Sequence, residues 1–195
     1  MEFLLATQNK NKKEELSRIL QPLGIQIKTA ADLNLDLSDV AETGETFEEN
    51  AYLKAASGCR ESGLATIADD SGLCVDALCG RPGIYSARFA GEHGNDAKNI
   101  SKLLHELKDV KKEDRTARFV CAACCVFPSG ETITVRGECE GIIGYKPIGS
   151  KGFGYDPVFI VGDLSFAQLS AQEKDSISHR RKALEALYGE LRRFI

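Results

Sequence analysis

Apolar residues fall in short runs along this chain, and the spacing inside each run names an element. Phe3-Leu4-Leu5-Ala6 is continuous and of strand length, so it predicts a buried strand. A polar stretch, Thr7-Gln8-Asn9-Lys10-Asn11-Lys12, follows as a turn rich in donors. Leu16, Ile19, Leu20 and Leu23 then recur at helical spacing, and Gly24 supplies a stop. Ile25-Gln26-Ile27-Lys28-Thr29 predicts a second strand, and residues 30–44 read as an acidic loop. Thr46-Phe47-Glu48-Glu49 is a capping box opening a helix that runs through Cys59 and closes near Gly63. On it Asn50 and Lys54 are four apart and share a face.

The later half repeats the alternation. Leu64-Ala65-Thr66-Ile67-Ala68 and Leu73-Cys74-Val75 predict strands on either side of Asp69-Asp70-Ser71-Gly72. Residues 81–89 read as a loop with two arginines among aromatics. Ile100, Leu103, Leu104 and Leu107 mark an amphipathic helix. A hairpin is predicted over residues 116–127 and 132–143 around Pro128-Ser129-Gly130. The glycine-rich loop 149–157 leads into a strand, Val158-Phe159-Ile160-Val161. Ser170-Ala171-Gln172-Glu173 is a second capping box that places Lys174 near the start of a short helix. Ser178-His179-Arg180 opens the last helix, with Leu184, Leu187, Tyr188 and Leu191 on one face. Strands interleaved with helices predict an α/β fold, and the hairpin makes the sheet mixed rather than purely parallel.

Composition narrows the setting. A chain of 195 residues without repeats or linkers reads as a single domain over 1–195, with room for two lobes. Net charge −4 gives no global attraction for nucleic acid or an anionic membrane, so a polyanion must be held by a local basic site. No run is long enough to span a bilayer, and the opening segment is too short and too acidic for a signal peptide. Seven cysteines, an odd number, point to a reducing, cytoplasmic compartment. Cys121-Ala122-Ala123-Cys124-Cys125 contains a C-x-x-C, but it lies in an apolar strand and has no second pair at zinc spacing, so its role is structural.

Several clusters have the composition of a site. Asp69 and Asp70 are adjacent carboxylates at a predicted strand end. Such a pair reads either as a solvated turn or as a centre for a divalent cation or proton transfer. The turn over residues 7–12 offers backbone N–H groups, Thr7, Asn9 and several lysines to a phosphate, or it is a solvated helix start. It is not a Walker A loop, and Gly152-Phe153-Gly154 is not a dinucleotide fingerprint. Phe153 and Tyr155 suit either stacking on a nucleobase or packing in the core. Glu42, Asp69 and Asp70 together are the oxygen set magnesium uses. Lys174, His179 and Arg180 form a basic cluster that could hold a polyphosphate or a base edge.

These segments, in order, resemble the inosine/xanthosine triphosphate pyrophosphatases, a family acting on non-standard purine nucleotides. The matching pieces are residues 5–12, Glu42-Thr43-Gly44, residues 47–55, residues 68–73, residues 82–89, Gly152-Phe153-Gly154-Tyr155-Asp156-Pro157, and Lys174 with Ser178-His179-Arg180. One departure is that Gln8 and Asn11 stand where the family often has Gly. The resemblance implies an elongated mixed sheet flanked by helices, two lobes with a nucleotide cleft, a homodimer and a Mg²⁺ requirement. It implies hydrolysis of ITP, dITP and XTP to the monophosphate and pyrophosphate. Carried over by residue, Asp70 is the general base and, with Glu42, a metal ligand, while Asp69 tunes the site. Thr7, Gln8, Asn9, Lys10, Asn11, Lys12, Lys54 and Ser71 hold the triphosphate. Phe153 stacks on the base, Gly154, Tyr155 and Asp156 shape its pocket, and Lys174, His179 and Arg180 read the 6-oxo group. Two rivals stand beside this: a non-catalytic nucleotide sensor, and a phosphohydrolase releasing orthophosphate.

Overall fold

The structure, a computed structural model, describes residues 2–37 and 40–194. Ser38 and Asp39, in the acidic loop expected over residues 30–44, lie outside the described residues. The strands are β1 (Glu2–Leu5), β2 (Gln26–Thr29), β3 (Ala65–Val75), β4 (Thr116–Val126), β5 (Thr132–Ile143), β6 (Phe159–Val161) and β7 (Leu164–Ser165). The helices are α1 (Lys10–Leu20), α2 (Phe47–Ser62), α3 (Asp96–Glu106), α4 (Ala171–Ile177) and α5 (His179–Leu191). The strands form one sheet in the order β2-β1-β3-β4-β5-β6-β7. β1 is parallel to β2 and β3, whereas β6 is antiparallel to β5 and β7. The sheet is therefore mixed, as the pattern predicts.

The chain divides into two compact units. The first comprises Met1–Asp70, Cys121–Gly137 and Arg180–Ile195; the second comprises Ser71–Val120 and Glu138–His179.

In the first unit β1 is buried on both faces, which is why its sequence is continuously apolar. Phe3 and Leu5 join Leu16, Ile19 and Leu20 of α1 and Leu184 and Leu187 of α5 in one core. Leu4 points the other way, toward α2, where a Cβ added at Gly58 would lie 3.1 Å from its side chain. α2 lays small residues, Ala51, Ala55 and Gly58, on its buried face, so its backbone can approach the sheet closely. Its N-terminus departs from the predicted box in one half. Thr46 Oγ1 accepts from the Glu49 amide (3.1 Å), but Glu49 Oε2 accepts from the amide of Glu45, not of Thr46 (2.6 Å).

The second unit has its own core, built on Leu73, Leu103, Phe119, Phe159 and Phe166. The Phe119 ring meets Phe159 edge-on at 4.6 Å. A wholly buried arginine, Arg115, knits four backbone carbonyls: Nε donates to Ile143, Nη1 to Leu107 and Val110, and Nη2 to Gly144. The α4 capping box is reciprocal, with the Glu173 amide donating to Ser170 Oγ and the Ser170 amide to Glu173 Oε2.

Three local expectations change. Residues 69–72 are not a turn between two strands, because β3 runs unbroken from Ala65 to Val75. The 81–89 loop contains a 3-10 helix, Gly83–Arg88. The two-residue strand β7 carries too short a pattern to announce itself. Among the described residues no helix is long and apolar enough to cross a membrane.

Candidate active site

The strand geometry of β3 resolves the paired carboxylates. Successive side chains on a strand point to opposite faces. Asp69 therefore turns toward α1 and α5, and Asp70 toward α2. Both are buried, at 1% and 6% exposure, and each meets a different set of partners.

Asp69 is surrounded by cations. Lys12 Nζ lies 3.2 Å from its Oδ2, and Arg180 Nη2 lies 3.3 Å from the same oxygen. The Cys121 thiol also donates to Oδ2, at 3.8 Å. Arg180 is itself buried and pairs with Glu15 through Nη1. Burial alone would raise the Asp69 carboxyl, but Lys12, Arg180 and Lys54 overcome it and hold the group well below the usual carboxylate range. Asp69 is a fixed negative charge.

Asp70 is its opposite. Its Oδ2 accepts from Asn50 Nδ2 at 3.2 Å, and Lys54 Nζ lies 3.5 Å from Oδ1. Burial raises its proton affinity; Lys12 and Lys54 oppose this, Glu42 and Asp69 add to it, and the net direction is upward. Two neighbouring carboxylates with opposed shifts are the pattern by which one group is kept charged while the other can take a proton.

Glu42 completes this face, its Oε1 2.6 Å from Lys54 Nζ. Burial would drive Lys54 toward its neutral form, but Asp70, Asp69 and Glu42 raise its pKa instead, so it remains an ammonium. The loop bearing Glu42 is pinned by Gly44, whose amide donates to Asn50 Oδ1 at 2.8 Å. Only glycine fits there: a Cβ would lie 2.8 Å from that oxygen and 2.7 Å from the Glu49 side chain. Asn50 thus ties the Glu42 loop to Asp70. Among the described residues no group of three or more His, Cys, Asp or Glu side chains is placed to hold a metal ion. Glu42 and Asp70 are a pair of hard oxygen donors already gathered around one cation. That donor set fits Mg²⁺, which takes one or two protein carboxylates and completes its shell with water and phosphate.

The turn before α1 is also in the first unit. Asn9 is the N-cap, its Oδ1 accepting from the Lys12 amide (3.1 Å), and its own amide donates to Thr7 Oγ1 (3.3 Å). Gln8, Asn9, Lys10 and Asn11 are exposed at the helix start, while Lys12 turns inward to Asp69. α1 has no acidic residue in its first turn, so its N-terminal dipole is not offset there.

Ser71, Phe153, Gly154, Tyr155, Asp156, Lys174 and His179 belong to the second unit. Asp156 organises the glycine loop. Its Oδ2 accepts from the Phe153 amide (3.0 Å) and from Lys174 Nζ (2.6 Å). Gly152, at φ +75°, makes room for it, since a Cβ there would lie 2.0 Å from Asp156 Oδ2. The Lys174 ammonium sits 4.8 Å from the Phe153 ring centre, a cation–π contact that orients a half-buried ring. Asp96 Oδ2 accepts from the Gly154 amide at 2.7 Å. The His179 ring stacks on Phe119 at 4.8 Å.

Two residues take partners that the sequence does not announce. Of the two readings open for Tyr155, packing in the core holds: it is buried and its hydroxyl donates to the Ser86 carbonyl at 2.9 Å. Arg180, which the sequence groups with Lys174 and His179 as a basic cluster and the resemblance assigns to the base, has its guanidinium engaged by Glu15 and Asp69. Sequence reasoning passes over Glu15 and Asp96 and gives Cys121 only a structural role. Glu15 alone carried a signal, a carboxylate one place before the apolar face of α1 and itself buried.

The chain is similar along nearly its whole length to proteins already known. A sequence model described as the Ham1 family matches residues 3–190. A dITP/XTP pyrophosphatase of Bacillus licheniformis is 50% identical over 188 residues, covering 95% of each chain. One from Exiguobacterium is 51% identical, covering 98% of this chain and 97% of its own. Among solved structures, the Staphylococcus aureus Ham1 protein is 42% identical with a TM-score of 0.88, each chain covered in full. A nucleoside-triphosphatase / dITP/XTP pyrophosphatase of Mycobacterium abscessus is 45% identical with a TM-score of 0.78, covering 96% of this chain and 97% of its own.

Proposed function

This chain belongs to the Ham1 family, and we propose that it hydrolyses non-standard purine nucleoside triphosphates, dITP, ITP and XTP, to the monophosphate and pyrophosphate. The relatives named dITP/XTP pyrophosphatase, about half identical over nearly the whole chain, support the substrate class. The observation that carries the chemistry is the pair on β3, with Asp69 held ionised and Asp70 raised.

In this reading Asp70 is the general base. It accepts a proton from a water as the water oxygen bonds to the α-phosphorus. The bridging bond to the β-phosphate breaks, and pyrophosphate leaves with the electron pair. A carboxyl shifted upward toward the working pH is a better base than an ordinary one. Asp69 holds Lys12 beside it, near the N-terminus of α1, and both Lys12 and the backbone N–H groups at the helix start suit phosphate oxygens. Thr7, Gln8, Asn9, Lys10 and Asn11 line that turn, and Lys54 and Ser71 complete the triphosphate contacts. Glu42 and Asp70 would hold Mg²⁺, which when bound neutralises phosphate charge and orients the water.

The base calls on a further set of residues. Phe153 stacks on it, Gly154 and Asp156 shape the loop, and Lys174 and His179 donate to the 6-oxo group. Donors aimed at an oxo group are left unpaired opposite the 6-amino group of adenine, and such mismatches reject an analogue by about 10⁴-fold. We also propose a homodimer acting in the cytoplasm, on the family resemblance.

The test is a panel of dITP, ITP, XTP, GTP and ATP assayed for pyrophosphate and orthophosphate, with Mg²⁺ and with excess chelator. Pyrophosphate from the first three, stopped by chelator and restored by Mg²⁺, is expected. Orthophosphate as the first product, or ATP cleaved as fast as ITP, would replace this reading with a general phosphohydrolase. Binding without turnover would leave a sensor.

A further inference from the structure

Lys54 stands in the seat that the proposed metal needs. Its ammonium lies 2.6 Å from Glu42 Oε1 and 3.5 Å from Asp70 Oδ1, the two carboxylates assigned to Mg²⁺. A divalent cation and an ammonium a few ångströms apart repel strongly in a partly buried site, so the two cannot occupy it together. Without some cation there, Glu42 and the buried Asp70 would lose the charge they share, with only Lys12 left to oppose the burial of Asp70.

We infer that Lys54 is a placeholder cation: it fills the metal's place between Glu42 and Asp70 until a triphosphate draws it away, so that metal and triphosphate bind as a coupled pair. The inference rests on the Mg²⁺ reading above. The surroundings suit an exchange. Lys54 stands on a flexible four-carbon stem and carries a point charge with rotatable donors, so it can swing to a phosphate oxygen without a fixed geometry. Asp70 does not depend on Lys54 for its orientation, because Asn50, one turn earlier on the same helix face, holds its other oxygen. The Glu42 loop is anchored separately, by Gly44 on Asn50. Removing the ammonium therefore leaves both carboxylates in position and raises their appetite for another cation. By linkage, whatever the triphosphate adds to metal affinity the metal returns to triphosphate affinity.

The experiment measures Mn²⁺ binding without nucleotide, by electron paramagnetic resonance of the free ion, on the wild type, Lys54→Met, Lys54→Gln and Lys54→Arg. Circular dichroism confirms that each is folded. The neutral variants should bind Mn²⁺ more tightly than the wild type by roughly 5- to 150-fold, the usual span of coupling between two sites. Lys54→Arg, which keeps the charge, should stay as weak as the wild type. Repetition with a non-hydrolysable α,β-methylene triphosphate should tighten Mn²⁺ binding less in the neutral variants than in the wild type. Measurable Mn²⁺ binding that is equal in wild type and neutral variants overturns the placeholder role alone. No Mn²⁺ binding by any of the proteins, with or without the analogue, removes the metal reading and the inference with it. With two neutral variants, the test survives the loss of either to misfolding.

Discussion

Replacing Arg180 with methionine separates two roles that the sequence cannot separate. A base-reading arginine at a ligand edge adds little to the stability of the empty protein, and its loss raises KM. The structure predicts the reverse. The Arg180 guanidinium is 1% exposed and lies against two buried carboxylates, Glu15 and Asp69. Arg180→Met keeps much of the volume but leaves both carboxylates without their shared cation. Removing one partner of a buried pair typically costs about 3–5 kcal/mol, because the remaining charge is stranded. Lys12 still neutralises part of Asp69, which argues for the lower end. With a urea slope of about 2 kcal/mol/M, the midpoint should fall by about 1.5 M. The pairing also predicts non-additivity. Glu15→Gln removes the charge that Arg180→Met strands, so the double variant should be more stable than the sum of the two losses by about 0.5–3 kcal/mol. The assay is urea unfolding followed by circular dichroism on four proteins: wild type, both singles and the double. A midpoint unchanged within error in Arg180→Met, with a selective rise in KM for ITP, would refute the buried-pair role and return Arg180 to the base edge.

Asp70→Asn should fold normally and lose about 10²–10⁴-fold in turnover, the usual contribution of a general base, with ITP hydrolysis the readout; near-normal turnover would clear Asp70 of that role. Gly152→Ala forces a Cβ to within 2.0 Å of Asp156 Oδ2 at a left-handed φ. It should cost about 1–2 kcal/mol in backbone strain alone and raise KM more than it lowers kcat, because Asp156 holds both Phe153 and Lys174. An unaltered thermal melt and KM would show that the loop reshapes freely. Burial pushes the Cys121 and Cys125 thiols up to about 12, so neither should react with iodoacetamide at pH 8 in the native protein. The exposed Cys79 should react first, as peptide mass mapping would show, and early labelling of Cys121 would mean the strand opens.

What the sequence reveals here is what periodicity and local chemistry encode. The face of α1, the β4–β5 hairpin and the α4 capping box are all legible, because each depends on residues a few positions apart. The reach of β3 is not. Asp69-Asp70-Ser71-Gly72 consists of residues that favour turns, and local propensity has no knowledge that both carboxylates find cations on neighbouring elements. The pairing of Arg180 is hidden from the sequence for the same reason. Its neighbours in sequence, His179 and Lys174, share its chemistry, but its partners are Asp69, 111 positions away, and Glu15, 165 positions away. Tyr155 shows the limit from the other side, since a ring among glycines reads the same whether its hydroxyl meets solvent or the Ser86 carbonyl. The alternation of a strand supplies what the residue list lacked. Side by side in sequence, Asp69 and Asp70 look like mutual repulsion; on opposite faces of β3 they become one carboxylate held ionised and one whose proton affinity is raised. Inserting one residue before Asp69 would swap both faces at once, bringing Asp69 to the place beside Lys54 and carrying Asp70 one pleat past the arginine, so that Lys12 and Arg180 would meet the inserted residue instead of a fixed carboxylate. The register of β3 against β1, set by Phe3 on Ala65 and Leu5 on Ile67, is therefore as much a part of the proposed chemistry as the carboxylates themselves.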